Sequence, residues 1–186
     1  GSNISTNISE ADSFWKYQGQ INTYVSRLQL LLQNGSPDAD LLVYLPVFDD
    51  PADARFTSVL DALNAHGYAW EWVNNDALLQ SEWGNAGLTI GTMTFQAVVI
   101  PDVPALPVET AEKLAVLADA GLPVIMFGQL PSQQPGYLNY AENDGVVADY
   151  IQAIIGQSGG SHASDTDALA TAITALPHGS IYYEHN

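Results

Sequence analysis

At 186 residues, 47% of them hydrophobic, the chain is long enough to bury one core and short for two. Lys16, Arg27, Arg55 and Lys113 face 21 acidic residues for a formal charge of −17, so the phosphate neutralisation that drives nucleic-acid binding has almost no cations to work with, and anionic membrane is as poor a partner. The absence of cysteine excludes disulfides, thiolate nucleophiles and Cys-ligated metals.

Residues 1–12 open on Gly1-Ser2-Asn3, which reads as a tag remnant, and continue without pattern. They are expected to be a disordered leader to a single α/β domain over 13–186, the whole being a piece excised from a longer multidomain protein. Phe14, Tyr17, Ile21, Tyr24, Val25, Leu28, Leu31 and Leu32 then recur at three- and four-residue steps. That spacing predicts a long amphipathic helix, with Asp12 or Ser13 to cap its start and Asn34-Gly35 its end. The apolar run 41–45, closed by Pro46, predicts a strand covered on both faces, and 52–65 a helix ending at Gly67.

Alternating aromatics make 68–73 a second strand, 75–80 a short helix, and 87–95 either a small hairpin or a loop. A third strand is expected over 97–100, a helix over 108–120 stopped by Gly121, and a fourth strand over 124–127 stopped by Gly128. A polar, Pro- and Gln-rich loop runs from there to about Ala141. A helix over 145–155, a Gly/Ser linker over 157–161, a helix over 165–176 and a final strand over 180–183 complete the reading.

Five strands alternating with helices imply a mainly parallel sheet with right-handed crossovers. The expectation is a three-layer α/β sandwich, flavodoxin-like, with strand order 2-1-3-4-5. In such a sheet ligands collect beyond the carboxyl ends of the strands, which directs attention to Asp49 and Asp50 after the first strand, Asp102 after the third and Gln129 after the fourth. The loop 46–51 contains no glycine and carries two carboxylates, which argues against a phosphate, a flavin or a dinucleotide; no cofactor is expected.

Asp49 and Asp50, with Asp53 nearby, suit a hard cation or sugar hydroxyls, while the plainer reading makes Asp50 or Asp53 the cap of the next helix. Asp49 and Asp102 at neighbouring strand ends could also approach the carboxylate separation of about 5–10 Å that glycoside hydrolysis needs. Trp83, in a polar segment, and Trp72 are candidates to stack on a sugar ring, against the plainer reading that tryptophans bury large areas in a core. His66, His162, His178 and His185 are scattered near turns and the terminus, and no serine lies in a G-x-S-x-G context; neither a metal site nor a serine hydrolase follows.

The stretch Tyr24-Val25-Ser26-Arg27-Leu28, Leu30-Leu31-Leu32-Gln33-Asn34-Gly35, Asp40 and Val43-Tyr44-Leu45-Pro46 resembles one in large bacterial glycoside hydrolases of the α-L-rhamnosidase type. The likeness continues through Val98-Val99-Ile100-Pro101, Glu109-Thr110, Lys113-Leu114 and Pro123-Val124-Ile125. The resemblance implies a domain that follows the catalytic barrel, flavodoxin-like or glutamine-amidotransferase-like, in a secreted or periplasmic protein. Amidotransferase chemistry needs a cysteine at a tight strand-to-helix elbow, and the fourth strand leads into Phe127-Gly128-Gln129-Leu130-Pro131 instead.

What the resemblance implies is therefore a non-catalytic accessory domain whose partner is the catalytic domain of the parent chain, or a second copy of itself, by analogy with the trimerisation domain of certain β-galactosidases. The alternatives are a carbohydrate-binding module using Trp83 or Trp72 with Asp49 and Asp102, and a free-standing carboxylate-dependent hydrolase.

Overall fold

A computed structural model describes residues 13–35, 38–46 and 53–177. The chain divides into two compact units, 1–37 and 38–186. In the first, a 3₁₀ turn at Trp15–Tyr17 runs directly into α1 (Gln18–Gln33), and neither start carries a side-chain cap. Of the two expected caps, Asp12 lies outside the described residues and Ser13 is not used, because the entering chain is already wound and its backbone supplies the first bonds, Tyr17 N–H donating to Phe14 O. The far end closes as expected: Asn34 donates from its side chain to Leu30 O at 2.6 Å and from its backbone to Leu31 O at 3.3 Å. No side chain of α1 is buried.

The second unit is built on a five-stranded parallel sheet of β1 (Leu41–Tyr44), β2 (Trp70–Val73), β6 (Ala97–Ile100), β7 (Val124–Phe127) and β8 (Gly160–Ala163). They lie in the order β2-β1-β6-β7-β8, which is the expected 2-1-3-4-5 once only the strands of this sheet are counted. Between β2 and β6 come α3 (Asn75–Leu79) and the strands β3 (Glu82–Gly84), β4 (Gly87–Ile90) and β5 (Met93–Phe95). These three strands form an antiparallel sheet of their own, so the 87–95 hairpin exists and gains a third strand.

Alternation along the strands sends side chains to two separate cores. Leu42, Tyr44, Val98, Ile100, Val124 and Met126 face one core, shared with Leu114 and Leu117 of α4 (Val108–Asp119) and Val147, Ile151 and Ile154 of α5 (Tyr140–Gly156). Leu88 and Phe95 of the small sheet extend that core. Leu41, Val43, Ala97, Val99, Ile125 and Phe127 face the other, with Val59 and Leu63 of α2 (Ala54–Ala65) and Leu169 and Ile173 of α6 (Thr166–Thr174). Helices therefore cover both faces of the sheet.

Helix ends follow local chemistry. Asp53, Asn74 and Asp165 cap α2, α3 and α6 by accepting from Arg55, Ala77 and Ala168 N–H. Gly67 (φ 75°) and Gly121 (φ 96°) stop α2 and α4 in Schellman turns, Tyr68 N–H reaching Leu63 O and Leu122 N–H reaching Leu117 O, each at 3.0 Å.

Two expectations are corrected. Helix α5 starts at Tyr140, well before 145, because Asn139 turns the chain at φ 52° without a side-chain cap that the sequence would reveal, and Gly145 lies inside the helix. The segment read as a Gly/Ser linker over 157–161 contains the start of β8, the fifth strand of the sheet, which pairs Val124↔Gly160 through Phe127↔Ala163. The strand expected over 180–183 lies outside the described residues.

Candidate functional site

The strand order reverses between β1 and β6, so the carboxyl ends of β1, β6 and β7 are where a doubly wound sheet gathers ligands. Asp49 and Asp50, which follow β1, lie outside the described residues. Asp102 follows β6 and is half-buried, and its Oδ1 accepts from the backbone N–H of Gln129 at 3.3 Å. The structure thus brings Asp102 and Gln129 together, through the carboxylate of one and the backbone of the other, while the Gln129 residue itself is exposed.

The approach of the two loops is close enough to dictate residue type. Gly128 sits at φ 72°, and a Cβ there would come 2.9 Å from Cβ of Asp102. Around it, Gly128 N–H donates to Ala163 O at 2.8 Å and His162 Nε2–H donates to Gly128 O at 2.8 Å. The loop ends of β6, β7 and β8 are laced together at this point.

Arg55 approaches from the first turn of α2. Its Nη1 lies 3.5 Å from the Asp102 carbonyl oxygen and its Nη2 3.1 Å from Asp53 Oδ2, with Asp53 Oδ1 also accepting from Arg55 N at 3.0 Å. The side-chain hydrogen bond from Arg55, reinforced by the backbone one, holds the Asp53 carboxyl below the usual carboxylate range. Asp53 is the capping residue that the plainer reading of the acidic loop anticipated.

Trp83 lies on β3, away from the strand ends. Its indole N–H donates to Ala120 O at 2.8 Å, at the end of α4, and its ring packs against the core beneath the small sheet. Trp70 and Trp72 stack edge-on at 5.1 Å on β2, with Phe56 edge-on to Trp72 at 5.8 Å. Among the described residues no three His, Asp or Glu side chains converge to hold a metal ion, and no helix is long and apolar enough to cross a membrane.

A second feature escaped the reading of the sequence. The loop after β7 and the start of α5 enclose an open hollow of about 540 Å³, lined by Gln133, Gln134, Gly136, Tyr137, Tyr140 and Asp144. Its floor is tied down at both ends. Gln133 bridges to Ala105 and exchanges backbone hydrogen bonds with Pro104 and Leu106, and Gln134 N–H donates to Asp144 Oδ1 at 2.8 Å.

Between these ties, the Gln134 side-chain amide donates to Gly136 O at 3.1 Å and Leu138 O at 3.2 Å, and Asn143 Nδ2 donates to Leu138 O at 3.2 Å. The signal in the sequence was a pair of tyrosines just after a Pro-Gly turn that itself follows two glutamines, within a segment that looked like loop and nothing more.

The fold and this geometry define a doubly wound parallel α/β domain whose strand-end loops are braced on one another. The family profile described as alpha-L-rhamnosidase matches residues 2–176, and the chain belongs to that glycoside hydrolase family. A search of curated proteins finds no match.

Proposed function

We propose that this chain is a non-catalytic accessory domain of a glycoside hydrolase of the α-L-rhamnosidase type, related to glutamine-amidotransferase-like domains and serving to buttress the catalytic domain or to mediate assembly. The observation that carries the reading is the engagement of Asp102. Its carboxylate receives the Gln129 N–H and its Cβ abuts Gly128, so it acts as a strut between β6 and β7 rather than as an acid or base. A retaining or inverting pair needs two carboxyls facing a sugar from about 5–10 Å apart. Asp53, whose partner Arg55 also reaches the Asp102 carbonyl, caps α2 and binds Arg55.

Two further facts support it. The elbow after β7, where an amidotransferase carries its nucleophile, is Gly128-Gln129 in a chain without cysteine. None of the apolar side chains of α1 is buried, and Leu30, Leu31 and Leu32 are largely exposed, as suits a helix built to pack on a neighbouring domain.

The test is turnover of an aryl α-L-rhamnoside by the 186-residue chain alone, as it stands and with Asp102→Asn. No turnover above the uncatalysed rate is expected from either. Hydrolysis by the parent sequence that Asp102→Asn abolishes would overturn the reading in favour of a carboxylate-dependent hydrolase.

A further inference from the structure

We propose that the hollow at the start of α5 is a binding site for a neutral sugar ring, held between Tyr137 and Tyr140 and hydrogen-bonded by Gln133 and Asp144. Its volume of about 540 Å³ falls within the range of about 300–1,000 Å³ in which small-molecule sites lie.

The lining chemistry selects the ligand class. It holds two aromatic rings, two carboxamides and one carboxylate, and no cation. The Gln133 carboxamide both donates and accepts, the Gln134 carboxamide, whose N–H groups go to Gly136 O and Leu138 O, offers its oxygen, and the carboxylate accepts; together they match the donors and acceptors of adjacent hydroxyls. Tyrosine rings offer flat apolar faces to the C–H face of a pyranose and a hydroxyl at their tips. An anionic ligand would meet Asp144 in a chain of net charge −17 with nothing in the lining to neutralise it.

The exposure of the rings makes the second half of the argument. Tyr137 is 96% exposed, Tyr140 57% and the intervening Leu138 81%. An aromatic residue with no core to fill ordinarily sits on a loose tip, yet this loop is fixed by the hydrogen bonds of Gln134 and Asn143 and by the bridge of Gln133 to Ala105. Among the described residues, the Gln133 side chain and the hydroxyls of Tyr137 and Tyr140 make no hydrogen bond within the protein. Exposed aromatic rings and unengaged polar groups presented on a braced loop are arranged for a ligand rather than for the fold.

The site stands on this geometry and not on the accessory-domain reading: turnover by the chain would sink that reading and leave this one intact. The experiment is a titration of the ¹⁵N-labelled 186-residue chain with methyl α-L-rhamnoside and, separately, methyl β-D-glucoside, followed by amide chemical shifts. Saturable shifts confined to 133–144, with a millimolar Kd for at least one of the two glycosides, are expected.

Tyr140→Ala and Gln133→Ala should each weaken binding about ten-fold without changing Tm, and Tyr137→Phe should bind where Tyr137→Ala does not. Absence of saturable shifts with both glycosides, or saturable binding untouched by the alanine variants, would overturn the proposal. So would shifts of this loop that appear only when a protein partner is added, which would make the rings a protein contact.

Discussion

An ideal Cβ added to Gly160 would lie 1.6 Å from the carbonyl oxygen of Ile154, and one added to Gly159 2.3 Å from that of Leu122. No side-chain rearrangement relieves either clash, because the obstacle is backbone: the last turn of α5 and the chain leading into β7 cross this point. Glycine here is a packing requirement rather than a source of flexibility. Gly145 is the opposite case, an interior position of α5 where an added Cβ meets nothing within 4 Å. Urea unfolding of the two alanine variants should therefore move in opposite directions. Gly160→Ala is expected to cost about 3 kcal/mol or more, and Gly145→Ala to stabilise by about 0.5–1 kcal/mol through lost backbone freedom in the unfolded chain. Gly128 stands between these extremes, since its φ of 72° and the nearby Asp102 Cβ both resist a side chain.

Helix α6 is the most locally determined element of the domain. Asp165 caps it, accepting from Ala168 N–H at 2.9 Å and from Ser164 Oγ–H at 3.1 Å, and Leu169 and Ile173 fall on one face to fill the core shared with α2. The backbone hydrogen bond from Ala168, followed by the hydroxyl of Ser164, holds the Asp165 carboxyl below its ordinary value. A carboxyl whose pKa is lowered on folding stabilises the folded state above its unfolded value of 3.8, and that contribution is lost as pH falls through the folded value. Asp165→Ala should lower Tm at pH 7, with the gap to the parent chain narrowing as the pH drops below that value; Asp165→Asn, which keeps the acceptor without the charge, should retain most of the parent Tm at pH 7. A gap that is the same at pH 7 and at pH 3 would mean that the charge contributes nothing to the cap. Helix α5 shows the reverse situation: its first turn has no capping side chain, and Asn139 enters it from the left-handed region, so its start is set by the loop that packs before it.

Across the whole molecule, a charge of −17 with four cations makes self-repulsion the dominant long-range electrostatic term. Raising ionic strength from about 10 mM to about 150 mM with sodium chloride shortens the Debye length from about 30 Å to about 8 Å. Tm should rise over that range by roughly 2–4 °C, equivalent to about 1 kcal/mol for a chain of this size; a Tm that falls instead would place the weight on attractive pairs such as Arg55 with Asp53. The pattern of residues was sufficient for the central strands and their helices. Four-residue apolar runs at Leu41–Tyr44, Ala97–Ile100 and Val124–Phe127 read as buried parallel strands, and Gly67 and Gly121 as helix stops, because those signals act within a few residues of chain. Of the candidate site, the sequence located Asp102 and Gln129 at the correct strand ends, and Asp53 as one of two candidate caps, but not what they do to each other. The identity of the edge strand β8, the third strand of the small sheet and the hollow beside Tyr137 and Tyr140 were settled only by tertiary structure. Each depends on segments distant in sequence meeting at a few ångströms: Gly160 against Ile154 O, Trp83 against Ala120 O, Gln133 against Ala105. Local propensity carries no record of such meetings, since a short, glycine-bearing or polar stretch acquires its conformation from the neighbour it packs on.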